Sequence, residues 1–268
     1  GAWTEYDSDY LHKSLADSKF DSVNIYDCTS QWGVFSIAGP NSRSFLKKIV
    51  VSEDPDKTLS NKEFPWLSYR DIEIGMCPVR ALRVAYTGEL GWELHHPIEM
   101  QNYLLDILLS SGKEFNLKLV GARAQNWLRQ EKSYKAFGSD LGRDAGPFES
   151  KLSRFVDINK NFLGKDALLK RKTDVSCVTL LIDGPKDIDP WGREALYNET
   201  EEVMLGRLTS AGYSVHFKRS IGIGYVKSSF SEVGTKLRIK IDDAFWNAEI
   251  VRDSPYDPQN ERIIDRAQ

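Results

Sequence analysis

Near Thr173 the sequence stops offering helices, and this limits the possible folds more than any other feature. Beyond it, β-forming residues gather in short runs at 177–182, 203–209, 220–226, 236–241 and 245–251, separated by turn residues. Each such run buries a single face and must pair with several others to do so, which suits a compact barrel or sandwich. Asp183-Gly184-Pro185 and Asp189-Pro190-Trp191-Gly192 are the clearest turns, and Pro255-Tyr256-Asp257-Pro258 ends the last run. A boundary is therefore expected at about residue 174, with an α+β domain over 1–174 and a small β-barrel domain over 175–268. The total of 268 residues is long enough for two ordinary domains.

The first part mixes both periodicities. A short helix is expected at 10–15, and strands at 23–28 and 32–38 around the turn Thr29-Ser30-Gln31. Gly39-Pro40-Asn41-Ser42 offers helix-start chemistry ahead of Phe45, Leu46 and Ile49. A polar loop over 52–62 leads to strands at 70–74 and 79–85. The best helix covers 97–109: Met100, Tyr103, Leu104, Ile107 and Leu108 fall at helical spacing, Pro97 suits the first turn and Gly112 the end. A second helix is expected over 122–132, a break at 138–147, a strand at 155–158 and a helix over 165–172.

Between a good strand and the best helix stands Tyr86-Thr87-Gly88-Glu89-Leu90-Gly91-Trp92-Glu93. Gly88 and Gly91 permit a turn and a close approach that side chains would block. A carboxylate on such a turn with aromatic rings on either side in sequence suits a flat, nitrogen-rich ring, since it accepts two parallel N–H bonds while the aromatics cover the faces. On these eight residues alone, a hairpin with a solvated Glu89 is the alternative.

Other signatures narrow the field. Gly222-Ile223-Gly224 lacks the third glycine of a phosphate cradle and lies in an expected strand, so no nucleotide-binding fold is supported. His95 and His96 point to opposite faces of an extended segment and are expected on the surface rather than on a metal. No metal site is expected. The cysteines, Cys28, Cys77 and Cys177, are three and far apart, which argues against a disulfide framework and places the chain in a reducing compartment. Cys28 is expected to be a buried structural thiol. A formal net charge of -3 gives no reason to expect nucleic acid or an anionic membrane as partner. On the helix over 122–132, Arg123, Asn126, Arg129 and Lys132 share a face. A solvated stripe accounts for Arg123 and Lys132, whereas Tyr134, Phe137 and Gly138 follow Arg129 closely enough to set a cation and rings at a cleft for an anionic aromatic ligand.

Taken in order, Tyr86 to Leu94, then Ala122-Arg123 with Leu128-Arg129-Gln130-Glu131-Lys132-Ser133-Tyr134, then Phe162-Leu163-Gly164-Lys165 and Gly206-Arg207-Leu208-Thr209-Ser210-Ala211-Gly212-Tyr213, resemble successive motifs of the glycine-cleavage T-protein family, the tetrahydrofolate-dependent aminomethyltransferases. Phe64-Pro65-Trp66, Glu131-Lys132-Ser133-Tyr134 and Pro255-Tyr256-Asp257-Pro258 resemble most the folate-binding C-terminal portion of dimethylglycine and sarcosine dehydrogenases. The resemblance implies a cloverleaf of two related α+β subdomains and a C-terminal β-barrel around a channel for tetrahydrofolate. It implies that Glu89 grips the pterin, with Tyr86 and Arg129 as neighbours, and that a one-carbon unit passes from an aminomethyl or N-methylglycine-type donor to the folate.

The family's N-terminal segment, with the aspartate placed near the folate nitrogens, has no match ahead of Val23, so the α+β part is expected to be incomplete, Gly1 to open a fragment, and no catalytic residue is named. Expected partners are the small amine-derived donor and the missing N-terminal segment or a flavoprotein portion, with no FAD site within this chain, no nucleic acid and no membrane. The expected location is cytoplasmic, or the mitochondrial matrix in a eukaryote. Two other readings stay open: a non-catalytic folate-fold regulatory or assembly subunit, and a folate-dependent demethylase.

Overall fold

The computed structural model describes residues 3–20, 22–184 and 188–265. Gly1 and Pro185, the last residue of one expected turn, lie outside the described residues. Helix α1 (Thr4–Ala16) is longer than the sequence suggested and buries none of its residues. It is attached by Trp3, edge-on to Phe137 at 5.3 Å, and by Tyr6 under the Arg143 guanidinium. The strand expected at 23–28 does not form. Val23 and Tyr26, which an extended segment would turn to opposite faces, are both exposed, and without a neighbouring strand to cover either face alternation alone stabilises nothing. Cys28 is exposed too, which corrects the expectation of a buried thiol.

The chain then forms β1 (Trp32–Ala38), α2 (Ser42–Ile49), the single turn α3 (Pro55–Thr58), β2 (Tyr69–Ile74), β3 (Cys77–Leu82), β4 (Gly91–Pro97) and α4 (Gln101–Gly112). The four strands make one antiparallel sheet in the order β1-β4-β3-β2, so β4 lies inside it although the sequence marked it only as an extended segment. Register puts Ile37 beside Trp92, Phe35 beside Leu94 and Gly33 beside His96, and this face packs on Phe45 and Leu46 of α2 and Leu104 and Leu108 of α4. Alternation and helical spacing meet at one core here, as expected. His96 sits on that face, fully buried, stacked on Phe35 at 4.9 Å with Nδ1 3.0 Å from the Leu94 carbonyl oxygen. That corrects its placement on the surface, because β4 is covered by strands on both edges and helices on one face. His95, on the other face, is half-buried beside Glu93.

Helix α5 (Ala122–Glu131) follows, then a largely irregular stretch and α6 (Lys165–Lys170). Residues 153–155 form a single helical turn instead of the expected strand, with Phe155 and Ile158 exposed. From β5 (Val175–Ile182) the chain continues through β6 (Ala195–Tyr197), β7 (Met204–Ser214), β8 (Arg219–Lys227), β9 (Lys236–Ile241) and β10 (Ala244–Val251), which close into a six-stranded barrel in the order β10-β5-β8-β7-β6-β9. Val178, Leu180, Leu208, Val226, Ile239 and Ile250 are among the side chains that fill it. Closure at this strand number leaves room for side chains and little else. At Gly206, which β8 approaches closely, a Cβ would collide with the Tyr225 carbonyl oxygen. The sequence missed three-residue β6 and cut β7 short at 209, where the register shifts between Leu208 and Ser210 and interrupts the alternation.

After β10 the chain leaves the barrel and returns across the end of α5 to the first sheet, ending in the short turn α7 (Glu261–Ile264). This strap is fastened along its length. Ser254 Oγ donates to the Lys132 carbonyl at 2.8 Å, the Tyr256 amide to the Glu131 carbonyl at 3.0 Å, and Lys132 Nζ to the Asp257 carbonyl at 2.6 Å and Asn260 Oδ1 at 2.8 Å. At its end Arg83 donates to the Ile264 carbonyl at 2.6 Å, and Arg43 pairs with Asp265 at 3.0 Å. Both arginines are buried on the Trp92 ring. Among the described residues no helix is long and apolar enough to cross a membrane, and no group of His, Cys, Asp and Glu has metal-binding geometry.

Candidate functional site

The turn between β3 and β4 carries Glu89. Gly88 takes φ +79, a backbone conformation that costs little only without a side chain, and its α-carbon rests on the aliphatic part of Lys132, which a Cβ would strike. Lys132 is itself buried rather than solvated, correcting the stripe reading: its helix end is covered by the strap, and its ammonium is held by the Asp257 carbonyl and Asn260. Burial lowers its pKa, against the pull of Asp257 and Glu89. The seat of Glu89 is thus a buried cation on one side and the strap on the other.

Glu89 Oε1 accepts a short hydrogen bond from the Tyr256 hydroxyl and lies 3.5 Å from Arg262 Nη1. Oε2 accepts no hydrogen bond from the described residues, and the side chain is 21% exposed. Burial, reinforced by the hydrogen bond to Glu89 and its charge, holds the Tyr256 phenol protonated well above the ordinary tyrosine range. The carboxylate borders a cavity of about 600 Å³ that runs beside β1 between α2, α4 and the start of α5. Phe35, Ile37, Leu108, Leu117 and Leu128 give it apolar walls, and Thr87 and Gln125 add polar groups to the lining. Thr87 Oγ1 is buried without a hydrogen-bond partner. A cavity of this size, apolar with a few convergent polar groups, has the character of a small-molecule site.

The profile of the GCVT N-terminal domain matches residues 1–160, and that of the glycine cleavage T-protein C-terminal barrel domain matches residues 176–257. The chain belongs to the glycine-cleavage T-protein family. Among curated relatives of this T-protein-family chain, mitochondrial dimethylglycine dehydrogenase of Mus musculus is 36% identical over 238 residues, covering 86% of this chain and 26% of the relative. An aminomethyltransferase of Caldanaerobacter subterraneus subsp. tengcongensis is 29% identical over 230 residues, covering 85% of this chain and 60% of the relative. The chain therefore spans about a quarter of the length of the first and three fifths of the second. The crystal structure of glycine cleavage system aminomethyltransferase T from Bartonella henselae superposes with a TM-score of 0.76 over 96% of this chain and 67% of that one, and at 19% identity it shows a shared fold.

Within the T-protein architecture the three residues singled out from sequence do not converge. Glu89 faces the cavity; Tyr86 and Arg129 do not line it. Arg129 is buried and makes four hydrogen bonds: to Asn126 at 2.9 Å, the Tyr134 carbonyl at 2.7 Å, Asp140 at 2.6 Å and Ser210 at 2.7 Å. Thr209 and Ser210 of β7 complete the shell around Asp140. This corrects the expectation that Arg129 offers a cation to an anionic ligand, because its donors are spent on joining α5 to the barrel. Tyr86 lies by the same seam, 37% exposed, stacked on Tyr134 at 5.9 Å with its phenol pKa raised by burial. Trp92, expected beside Glu89, points into the sheet core. Arg123 stays at the surface, between the Trp127 and Trp191 rings and paired with Asp189.

Tyr256, Arg262 and the apolar walls at 115–120 escaped the sequence reading. Pro255-Tyr256-Asp257-Pro258 reads as the end of a strand, and nothing local in it signals that its ring returns to a turn 167 positions earlier.

Proposed function

We propose that this chain is the tetrahydrofolate-binding module of an aminomethyltransferase-like one-carbon transferase, with the carbon arriving from an aminomethyl or N-methylglycine-type donor. One observation carries the reading: Glu89, one of whose carboxylate oxygens accepts no hydrogen bond from the described residues, lines a cavity of about 600 Å³ together with Thr87, whose buried hydroxyl is orphaned. The aminopyrimidinone edge of a pterin presents two adjacent N–H donors, which match a carboxylate, and its flat body suits apolar walls. Thr87 Oγ1 gives a further polar partner that an apolar ligand would leave unsatisfied. When bound, tetrahydrofolate supplies the ring and bridge nitrogens that accept the carbon. Glu89 holds the pterin edge, Phe35, Ile37 and Leu128 keep water from the ring, and the fixed pose supplies proximity. We assign binding and positioning to these residues and no catalytic role.

Family membership and similarity to dimethylglycine dehydrogenase support this choice of acceptor and donor class. Amine oxidation belongs, in this proposal, to a flavoprotein portion or a separate partner, in the cytoplasm or the mitochondrial matrix. Calorimetric titration with tetrahydrofolate tests the site. Glu89→Gln, which keeps an acceptor for Tyr256 but removes the charge, is expected to weaken binding by about 1.5–3 kcal/mol, the range for a hydrogen bond to a charged group. Equal affinities for the two proteins would remove Glu89 from the site.

A further inference from the structure

The strap does more than tie the barrel to the first sheet. Glutamate carries three side-chain torsions, and Glu89 stands on a turn whose backbone depends on Gly88, so nothing in its own segment fixes its carboxylate. Tyr256 is the opposite case. It is 9% exposed, its amide is bonded to the Glu131 carbonyl, its ring meets His216 edge-on at 4.6 Å, and Arg262 lies over it at 5.3 Å. Ser254 on one side and Asp257 and Asn260 on the other pin the flanking backbone to the end of α5.

We propose that Tyr256 is a positioning residue for the cavity: its hydroxyl orients the Glu89 carboxylate through one lone pair of Oε1, leaves Oε2 and the other lone pair of Oε1 to the two N–H groups of the ligand, and so makes the strap the element that selects a pterin carrying an exocyclic amine beside its ring N–H. The proposal rests on the folate reading of the cavity. An acceptor whose second oxygen is already held cannot swing to follow a displaced donor, so a ligand lacking one N–H loses its bond outright. A free carboxylate would rotate and recover part of it. Orientation before binding raises affinity and discrimination together. The charged groups facing the phenol are Glu89, Arg262 and Glu131; burial first, then Glu89, keeps it protonated.

The test uses the whole chain, titrated with tetrahydrofolate and with an analogue whose pyrimidinone lacks the exocyclic amine. Tyr256→Phe, which deletes one hydroxyl and keeps the ring, is expected to bind tetrahydrofolate roughly fivefold to tenfold more weakly, to bind the analogue nearly as the wild type does, and to melt at an unchanged temperature. Equal losses for both ligands, or no loss, overturn the proposal, since a packing role would not alter the preference. Should Tyr256→Phe melt early, Arg262→Gln replaces it: Arg262 is 55% exposed and approaches the same oxygen, so a narrowed preference of smaller size supports the strap and an unchanged one sinks it. A wild type that takes no tetrahydrofolate ends the folate reading and, with it, the ligand selection proposed for the strap. The Tyr256–Glu89 bond is then decided separately by proton NMR of labelled tyrosine: a slowly exchanging, downfield-shifted Tyr256 hydroxyl proton that disappears in Glu89→Ala supports it, and no such proton in the wild type overturns it.

Discussion

The barrel and the first sheet solve the same problem in opposite ways. In the barrel every strand has two neighbours, and its core cluster is made of aliphatic and aromatic side chains. The sheet of β1 to β4 keeps two edges, buries His96, Arg43 and Arg83 with its core, and leaves a cavity along β1. The contrast bears on where a ligand can be held. A closed, saturated structure has no donor or acceptor to offer, whereas the open unit holds polar atoms whose partners are incomplete. The α5–β7 seam between the halves sets the Trp127 ring against Gly212 and, beside it, the buried Arg129–Asp140 pair.

The largest expected effect falls on that seam. Asp140 accepts from Arg129, the Ala136 amide, Thr209 and Ser210 with its side chain fully buried. Asp140→Ala strands the buried Arg129 charge and is expected to cost about 3–5 kcal/mol in denaturant unfolding. If the halves depend on this joint, the sheet unit and the barrel should then unfold in separate steps. A single transition with no loss would show that apolar contacts join them instead.

A smaller, pH-dependent effect tests the segment that leads into the barrel. Burial opposes ionisation of Glu149, but bonds from Thr173 at 2.7 Å and Arg171 at 3.0 Å outweigh it and hold the carboxyl below its usual range. A carboxyl depressed in the folded state contributes stability that is whole above the unfolded value of 4.5 and is lost as the pH falls through the folded one. Glu149→Gln should therefore flatten the decline of stability below about pH 4.5 while shifting the neutral value by a nearly constant amount. An unchanged acid limb in urea titrations would show that Glu149 does not govern the barrel's entry.

The smallest effect is expected at the barrel's rim, where Arg219 meets Asp183 at 2.7 Å with side chains 39% and 59% exposed. Exposed pairs contribute about 0–1 kcal/mol, so Arg219→Ala should move the unfolding midpoint little. A larger shift would mean that the barrel, too, leans on charge, and the contrast between the halves would weaken.

Local pattern made some of this legible. Ile37, Phe35, Trp92 and Leu94 alternate and Leu104 and Leu108 recur at helical spacing, and each periodicity reports one buried face. The strand expected at 23–28 failed for the converse reason: its alternation met no partner to bury it. Within the site, the turn chemistry of Gly88-Glu89 could be read because backbone freedom is a property of the residue itself. Tyr86 and Arg129 were placed with it by proximity in sequence and by family pattern, and the fold turned Arg129 into a structural bracket.

Local pattern was enough for the α+β part, the strand-rich final third and the turn that displays a carboxylate, since propensity and periodicity act between residues a few positions apart. The burial of Lys132 under the strap, the placing of His96 inside, and the reach of Tyr256 to Glu89 across 167 positions came from packing between distant segments. Whether a polar side chain is exposed or interior depends on the partner that meets it there, and a distant partner leaves no trace in the local sequence.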